Sequence, residues 1–347
     1  MPGVRFVVRL LHSPLVCGGN AIKPVLLVAL TAGALIAGSA FADDSTAELA
    51  AGGLMLTQNA DIRMASEDLA ISPNAVKVRY EFVNDSAKDI DAIVAFPLPD
   101  LNLGNEVGQS FGSIKTYNIA NFVGFTLTVD GKPVATTAEQ HAMLNGRDVT
   151  AQVKAAGFGL FFGSPADIAR LKAMTAAQRK ALEDAGLIMD VSGDGFDPNQ
   201  VFAQWTLTTK FWWRQHFPAG KTVVVQHDYQ PVTGDALLPT FDTSPAGLWG
   251  DDLKTYCIDA ATAKAIAAIA KAKTTTLEAD RTDFMLKTAN NWKGPIGRFH
   301  LTLDKLKPGN VLTLCWPGAL TKTGATTFES TLTNYAPKSD IQMMVIW

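Results

Sequence analysis

The chain has 347 residues, 47% of them hydrophobic, with 33 acidic and 30 basic side chains and a net charge of −3. That length buries a full core, as one large β domain or two smaller ones. The acidic balance excludes the basic footprint of a nucleic-acid binder, and no apolar run outside the leader region is long enough to cross a bilayer.

Residues 23–42 read KPVLLVALTAGALIAGSAFA, followed by Asp43-Asp44. A basic residue, an apolar run and Ala40-Phe41-Ala42 form the pattern of a secretory signal peptide cleaved after Ala42. An uncleaved anchor is the alternative, and the run is short for one. Residues 1–22 lie upstream of a normal leader and read as an over-long start; Val16 before Cys17 does not suit lipid attachment. Residues 1–42 hold Arg5, Arg9 and Lys23 and no acid, so the mature chain carries a net charge of −6. The expected location is periplasmic or secreted, with no transmembrane span in the mature chain.

Residues 45–54, rich in alanine and glycine, predict a short helix or an ordered arm. Residues 62–64 and 68–71 are short strands. Val76, Val78, Tyr80 and Phe82 then alternate with Lys77, Arg79 and Glu81, the period of a half-buried strand. Asn84-Asp85-Ser86 breaks the run. Ile90, Ala92, Val94 and Phe96 form the next strand, which Pro97 and Pro99 stop. The two strands are expected to pair as a hairpin with one apolar face, and that face needs a covering layer. Further along, Asp130-Gly131 is a two-residue turn signal.

Helical signals dominate residues 136–200. Asp148 opens a short helix ending near Gly157; Ser164-Pro165-Ala166-Asp167 starts another. Thr175-Ala176-Ala177-Gln178 is a capping box and Gly186 its stop. Phe158, Phe161 and Phe162 anchor this insertion to the body. Strands resume at Val201, and a turn at 217–221 is expected to fold 204–214 back on 222–229 as a hairpin. Residues 259–273 are an alanine-rich helix capped by Asp259; residues 298–303, 311–316, 326–332 and 341–347 are strands. The organisation expected is a leader (1–42), an N-terminal β part (43–135), a helical insertion (136–200) and a C-terminal β part (201–347) packed with the N-terminal part as one body. The fold class is mainly β: an antiparallel β-sandwich-like body with an inserted helical segment and one further Ala-rich helix.

The phrases SEDLAIS, VRYEFVN, FPLPD, NGRDVT, FPAGKTVVVQHDYQP and NNWKGPIGRFHLTLDK run through the whole mature chain. Together they resemble the bacterial secreted proteins grouped as domain of unknown function 4424, with FPLPD and NWKGPIG the most specific. The resemblance implies an exported, mainly β protein. It carries no catalytic residue across.

Several constellations bear on chemistry. Gly108-Gln109-Ser110-Phe111-Gly112 matches G-x-S-x-G, but no strand precedes it and no helix follows, so it reads as a glycine-rich loop. Asp190, Ser192 and Asp194 have the spacing that opens a calcium loop, with Asp197 as a further oxygen; the glutamate at position twelve is replaced by Val201. Calcium is the one cofactor to consider there, and a turn needing Gly and Asp is the other reading. His216 and His227 lie roughly 13 Å apart in the expected hairpin register, too far for one ion. Trp212 and Trp213 point to opposite faces of a strand. One fills the core; the other is covered by residues 136–200, or lies exposed beside Lys210 and Arg214 to stack on a sugar ring or receive a partner. Cys257 and Cys315 form a disulfide if the compartment is oxidising, and are otherwise two buried thiols.

The leading expectation is a non-enzymatic interaction module for an envelope protein or glycan, with Trp212, Trp213, Arg214, His216 and His227 as candidate ligand residues. The alternatives are an exported, metal-assisted hydrolase and a structural accessory subunit of an envelope complex.

Overall fold

Apolar and polar residues alternate along most strands, and the structure, a computed structural model, stacks the resulting one-sided sheets face to face. It describes residues 44–50, 53–105, 109–110, 119–191, 201–238, 249–273 and 277–347, all within the unit Ser39–Trp347. The first strands are β1 (Ser45–Ala50), β2 (Gly53–Thr57), β3 (Ile62–Ser72), β4 (Ala75–Asn84) and β5 (Ile90–Pro97). One sheet runs in the order Arg147–Asp148, Thr137–Leu144, Thr206–Phe217, β5, β1, β2. The other runs Thr321–Lys322, Thr327–Tyr335, Ile296–Asp304, β3, β4, Thr222–Tyr229, Thr126–Val129, Lys132–Pro133. Among the described strands, only β3 with Ile296–Asp304 pairs in parallel. A third sheet, built on Leu277–Phe284 and Ile341–Ile346, joins the same core through Phe284, Ile341, Met343 and Val345. The chain is therefore mainly β, with antiparallel sheets and inserted helices.

Aromatic rings fill the space between the two large sheets. Phe125 and Phe211 stack 4.4 Å apart and 2° from parallel; Phe96 meets Phe125 at 5.3 Å and Phe82 meets Phe217 at 6.1 Å. Each such fully buried side chain contributes roughly 1.5–3 kcal/mol.

The expected hairpin of β4 with β5 does not form. β4 pairs with β3 and Thr222–Tyr229, whereas β5 pairs with Thr206–Phe217 and β1. The turn after Phe217 likewise crosses between sheets, so His216 and Val223 are not partners. Alternation says which side is buried, and a corner satisfies it as well as a hairpin does. Asn84 favours the corner. It is fully buried, and its Nδ2 donates to the carbonyls of Phe217 (2.9 Å) and Lys88 (2.7 Å). Its backbone N–H donates to Lys221 O, and Gly220 N–H donates to its carbonyl. One side chain thus fastens both crossings together.

The helix or arm expected at 45–54 is the β1–β2 hairpin instead. Alanine and glycine leave the local preference open, and pairing of Ser45–Ala47 with Ile93–Ala95 settles it. Residues 62–72 form one strand rather than two, with a bulge between Met64 and Ser66. Asp130 and Gly131 both have positive φ (48° and 75°), as a tight hairpin turn of the primed type requires.

Helices α1 (Thr150–Ala156), α2 (Pro165–Ala173) and α3 (Ala176–Asp184) stand where the sequence placed them, except that Asp148 is not the cap of α1: it ends the strand Arg147–Asp148, and Val149 holds the N-cap position without a side-chain bond. Gly157, at φ 85°, ends α1; Ser164 with Asp167 and Thr175 with Gln178 form capping boxes. Phe161 packs 5.2 Å from Phe122 and Phe162 5.9 Å from Trp205, whose Nε1 donates to Leu160 O. The same stretch also supplies the strand Thr137–Leu144. Helices α4 (Gly250–Thr255) and α5 (Ala260–Ala272, capped by Asp259) pack over a smaller core of Trp249, Tyr256, Ile266 and Met344. The disulfide Cys257–Cys315 is formed, with its Cα atoms 5.0 Å apart.

Candidate functional site

β1 pairs with β5 over three residues only and then leaves it. The turn end of the hairpin is held over the sheet's outer face: Lys210 Nζ donates to Leu54 O (2.6 Å), and Leu54 N–H donates to Glu139 Oε1 (2.8 Å). Lys210 and Trp212 share that face, because their neighbours Phe211 and Trp213 point into the core. Trp212 is half-buried there. The element tied across its face is the N-terminal hairpin, where the sequence had suggested helices of residues 136–200.

Where β1 peels away, a groove of about 850 Å³ opens. Its walls are β1, residues 57–59, β5 and the Thr206–Phe217 strand, with Glu48, Asp91, Arg214 and His216 contributing the charged groups. His216 Nδ1 lies 2.8 Å from Asp91 Oδ1, and its Nε2 lies 3.7 Å from Asp89 Oδ2. Arg214 is exposed and has no ion-pair partner among the described residues.

The other candidate ligand residues are elsewhere. Trp213 is buried, with Nε1 donating to Gln215 Oε1 (3.2 Å). The side chain of His227 has no exposed surface. It sits among Tyr80, Phe96, Phe125 and Trp213, with ring centroids 4.9–5.6 Å away. Its Nε2 lies 2.9 Å from Asp44 Oδ1. Burial holds the Asp44 carboxyl above the usual carboxylate range, with His227 opposing that rise. The Asp44 carbonyl accepts from Trp292 Nε1, and Asn291 Nδ2 donates to Ser45 Oγ (2.9 Å). His227 is thus a core residue that seats the chain at Asp44, with Trp213 packed against its ring. Nothing in the sequence marked Asp44 as the partner of His227, 183 positions away.

Among the described residues, no group of three His, Cys, Asp or Glu side chains is placed to hold a metal ion. Asp190 ends the strand Ile188–Asp190; Ser192, Asp194 and Asp197 lie outside the described residues. Within G-x-S-x-G, Gln109–Ser110 form a two-residue strand paired with Gly234–Leu238, and Gly108 and Gly112 lie outside the described residues. No described helix is long and apolar enough to cross a membrane.

A second concavity, of about 430 Å³, carries no motif. It is lined by Asp100 of the FPLPD phrase, Asp283, Asp340, Lys287, Lys338 and Gln342, among others. Burial, and then repulsion from Asp340, pushes the Asp283 carboxyl up to about 6; Arg281 and a hydrogen bond with Gln342 oppose this. Its Oδ1 is shielded from solvent and has no hydrogen-bond partner among the described residues. Burial also raises Asp100, with Lys210 opposing. The folded value for Asp283 lies above its unfolded value near 3.9. The associated stability is therefore complete below about pH 4 and lost as pH rises through about 6. At pH 7.5 the ionised carboxylate costs about 2–3 kcal/mol. Asp283→Asn should accordingly be more stable than the parent at pH 7.5, with the gap closing towards pH 4.5. Denaturant melts at both pH values check this, and an unchanged gap would show that charge is not the cause.

No curated protein matches the chain significantly. Among solved structures, a Legionella pneumophila protein described as a "putative nutrient binding protein" aligns with 83% of this chain and 68% of its own. Its identity is 16% and its TM-score 0.42, values at which the match bears on neither ligand nor mechanism. The family described as Domain of unknown function (DUF4424) matches residues 42–344. Two of the phrases that carried the resemblance sit at structural junctions: FPLPD brings Asp100 to the crevice, and NWKGPIG brings Asn291 and Trp292 to the seat of Asp44 and Ser45. With the match covering residues 42–344 of the 347, this protein belongs to the DUF4424 family.

Proposed function

We propose that the protein is an exported binding module of the cell envelope, and that the groove between β1, β5 and the Thr206–Phe217 strand is its ligand-contacting surface. The groove carries this reading. A paired sheet supplies Arg214 and His216, and the peeled hairpin supplies a facing wall, so the site is concave and rigidly backed. The disulfide supports export, because such bridges persist in oxidising compartments. Cleavage after Ala42 would leave Asp44 as the second residue of the mature chain. The ligand class is an envelope protein or an envelope glycan.

The test uses residues 43–347 with periplasmic extract and a peptidoglycan digest as probes. Arg214→Glu and His216→Ala should each weaken retention of the bound component at least tenfold without lowering the melting temperature. Lys132→Glu, exposed on the other sheet, should leave it unchanged. Equal retention by all four proteins would remove the groove from consideration.

A further inference from the structure

We propose that the groove takes an extended acidic peptide, added as a strand to the bare edge of β5 and read by Arg214. This rests on the groove being the binding surface. β5 pairs with the Thr206–Phe217 strand along its whole length, from Ile90 opposite Phe217 to Pro97 opposite Lys210. On its other side, among the described residues, only Ile93, Val94 and Ala95 have a partner, which is β1. Ile90, Asp91 and Ala92 have no strand on that side among the described residues, and all three line the groove. A bare edge presents backbone N–H and C=O groups in a fixed row. An extended peptide satisfies that row without rearranging the sheet, whereas a sugar has no matching repeat.

Charge selects among peptides. Arg214 lies opposite Ile93, where β1 departs, and no carboxylate among the described residues pairs with it, Glu48 of the same groove included. The nearby Asp89 and Asp91 are instead within reach of His216. An incoming Asp or Glu gains a charge-assisted, two-pronged hydrogen bond from the guanidinium. Trp212, the platform a sugar would need, does not line the groove, and Lys210 beside it is engaged by Leu54 O. Three edge residues span roughly 10 Å, so the added strand is short and the Arg214 contact supplies much of the selectivity.

A displayed library of random linear peptides, selected on residues 43–347, tests this; peptidoglycan fragments form a separate arm. Expected are proline-free peptides sharing an acidic position. Their binding should slow amide hydrogen exchange across 90–92 at least tenfold. It should fall at least tenfold in Arg214→Glu and less in Arg214→Lys. N-methylation of alternate peptide residues should abolish binding with a period of two, a readout that leaves the protein untouched. Peptides that bind Arg214→Glu equally well, or that tolerate every N-methylation, overturn strand addition. If no peptide enriches while glycan fragments bind in an Arg214-dependent way, the peptide proposal fails and the groove reading stands. If neither arm binds, both fail.

Discussion

Asp44→Ala in residues 43–347 should lower the free energy of unfolding by about 3–5 kcal/mol, the cost of removing one partner from a buried charged or polar pair. The two side chains have no exposed surface and touch through a 2.9 Å contact. Without Asp44, His227 Nε2 loses its partner in a site walled by aromatic rings, where an unpaired polar atom is costly. The His227 Nδ1 already lacks a hydrogen-bond partner among the described residues, so the imidazole has no second contact to fall back on. His227→Phe alone should also destabilise, because it removes the imidazole contact of the buried Asp44 carboxyl. The double variant Asp44→Leu/His227→Phe should recover most of the loss, since both polar groups leave together and the new side chains suit an apolar site. Guanidinium melts of the four proteins close the cycle. Single losses below about 1 kcal/mol would mean that water enters the site or that the pair is not formed.

Replacing Cys257 and Cys315 together by serine should cost about 4 kcal/mol. The bridge closes a loop of 58 residues, and the entropy it removes from the unfolded chain scales with the logarithm of that length. For a chain of roughly 300 residues this corresponds to a fall of roughly 6–8 °C in melting temperature. The loss should appear first around α4 and α5, whose small core of Trp249, Tyr256 and Ile266 lies next to the bridge and has few layers above it. Hydrogen exchange of the two helices, with and without reductant, locates the effect. Two free thiols in protein purified from an oxidising compartment, or an unchanged melting temperature on reduction, would contradict it.

Strand positions and helix caps were legible because each is set by local chemistry. Ser164, Thr175, Gly157 and Asp259 act within three residues of themselves. Buried faces were legible for the same reason: Val76, Val78, Tyr80 and Phe82 are all inside. Pairing was not legible, because it depends on atoms far along the chain. Asn84 fixes two corners through Phe217 and Lys221, 133 and 137 positions away, and no local pattern announces that. The candidate site divides in the same way. Alternation correctly put Trp212 and Trp213 on opposite faces without saying which is inside, whereas His216 and His227, expected to share a face, are exposed and buried respectively. The groove beside them needs β1 to part from β5, which the composition of residues 45–54 does not reveal. His227 was legible as a strand histidine, while its partner Asp44 was not.

Under the proposed cleavage after Ala42, Asp44 would be the second residue of the mature chain, and the exact point of proteolytic maturation would become a structural variable. In most exported proteins a ragged amino terminus is harmless, because the first residues hang in solvent. A cut two residues later than the proposed one would discard half of an interior pair and leave Ser45, itself fully enclosed, at the chain end. Imprecise trimming would therefore yield a population of weakened molecules with the same chemistry everywhere else, and intact-mass heterogeneity at this terminus should track directly with loss of cooperative melting.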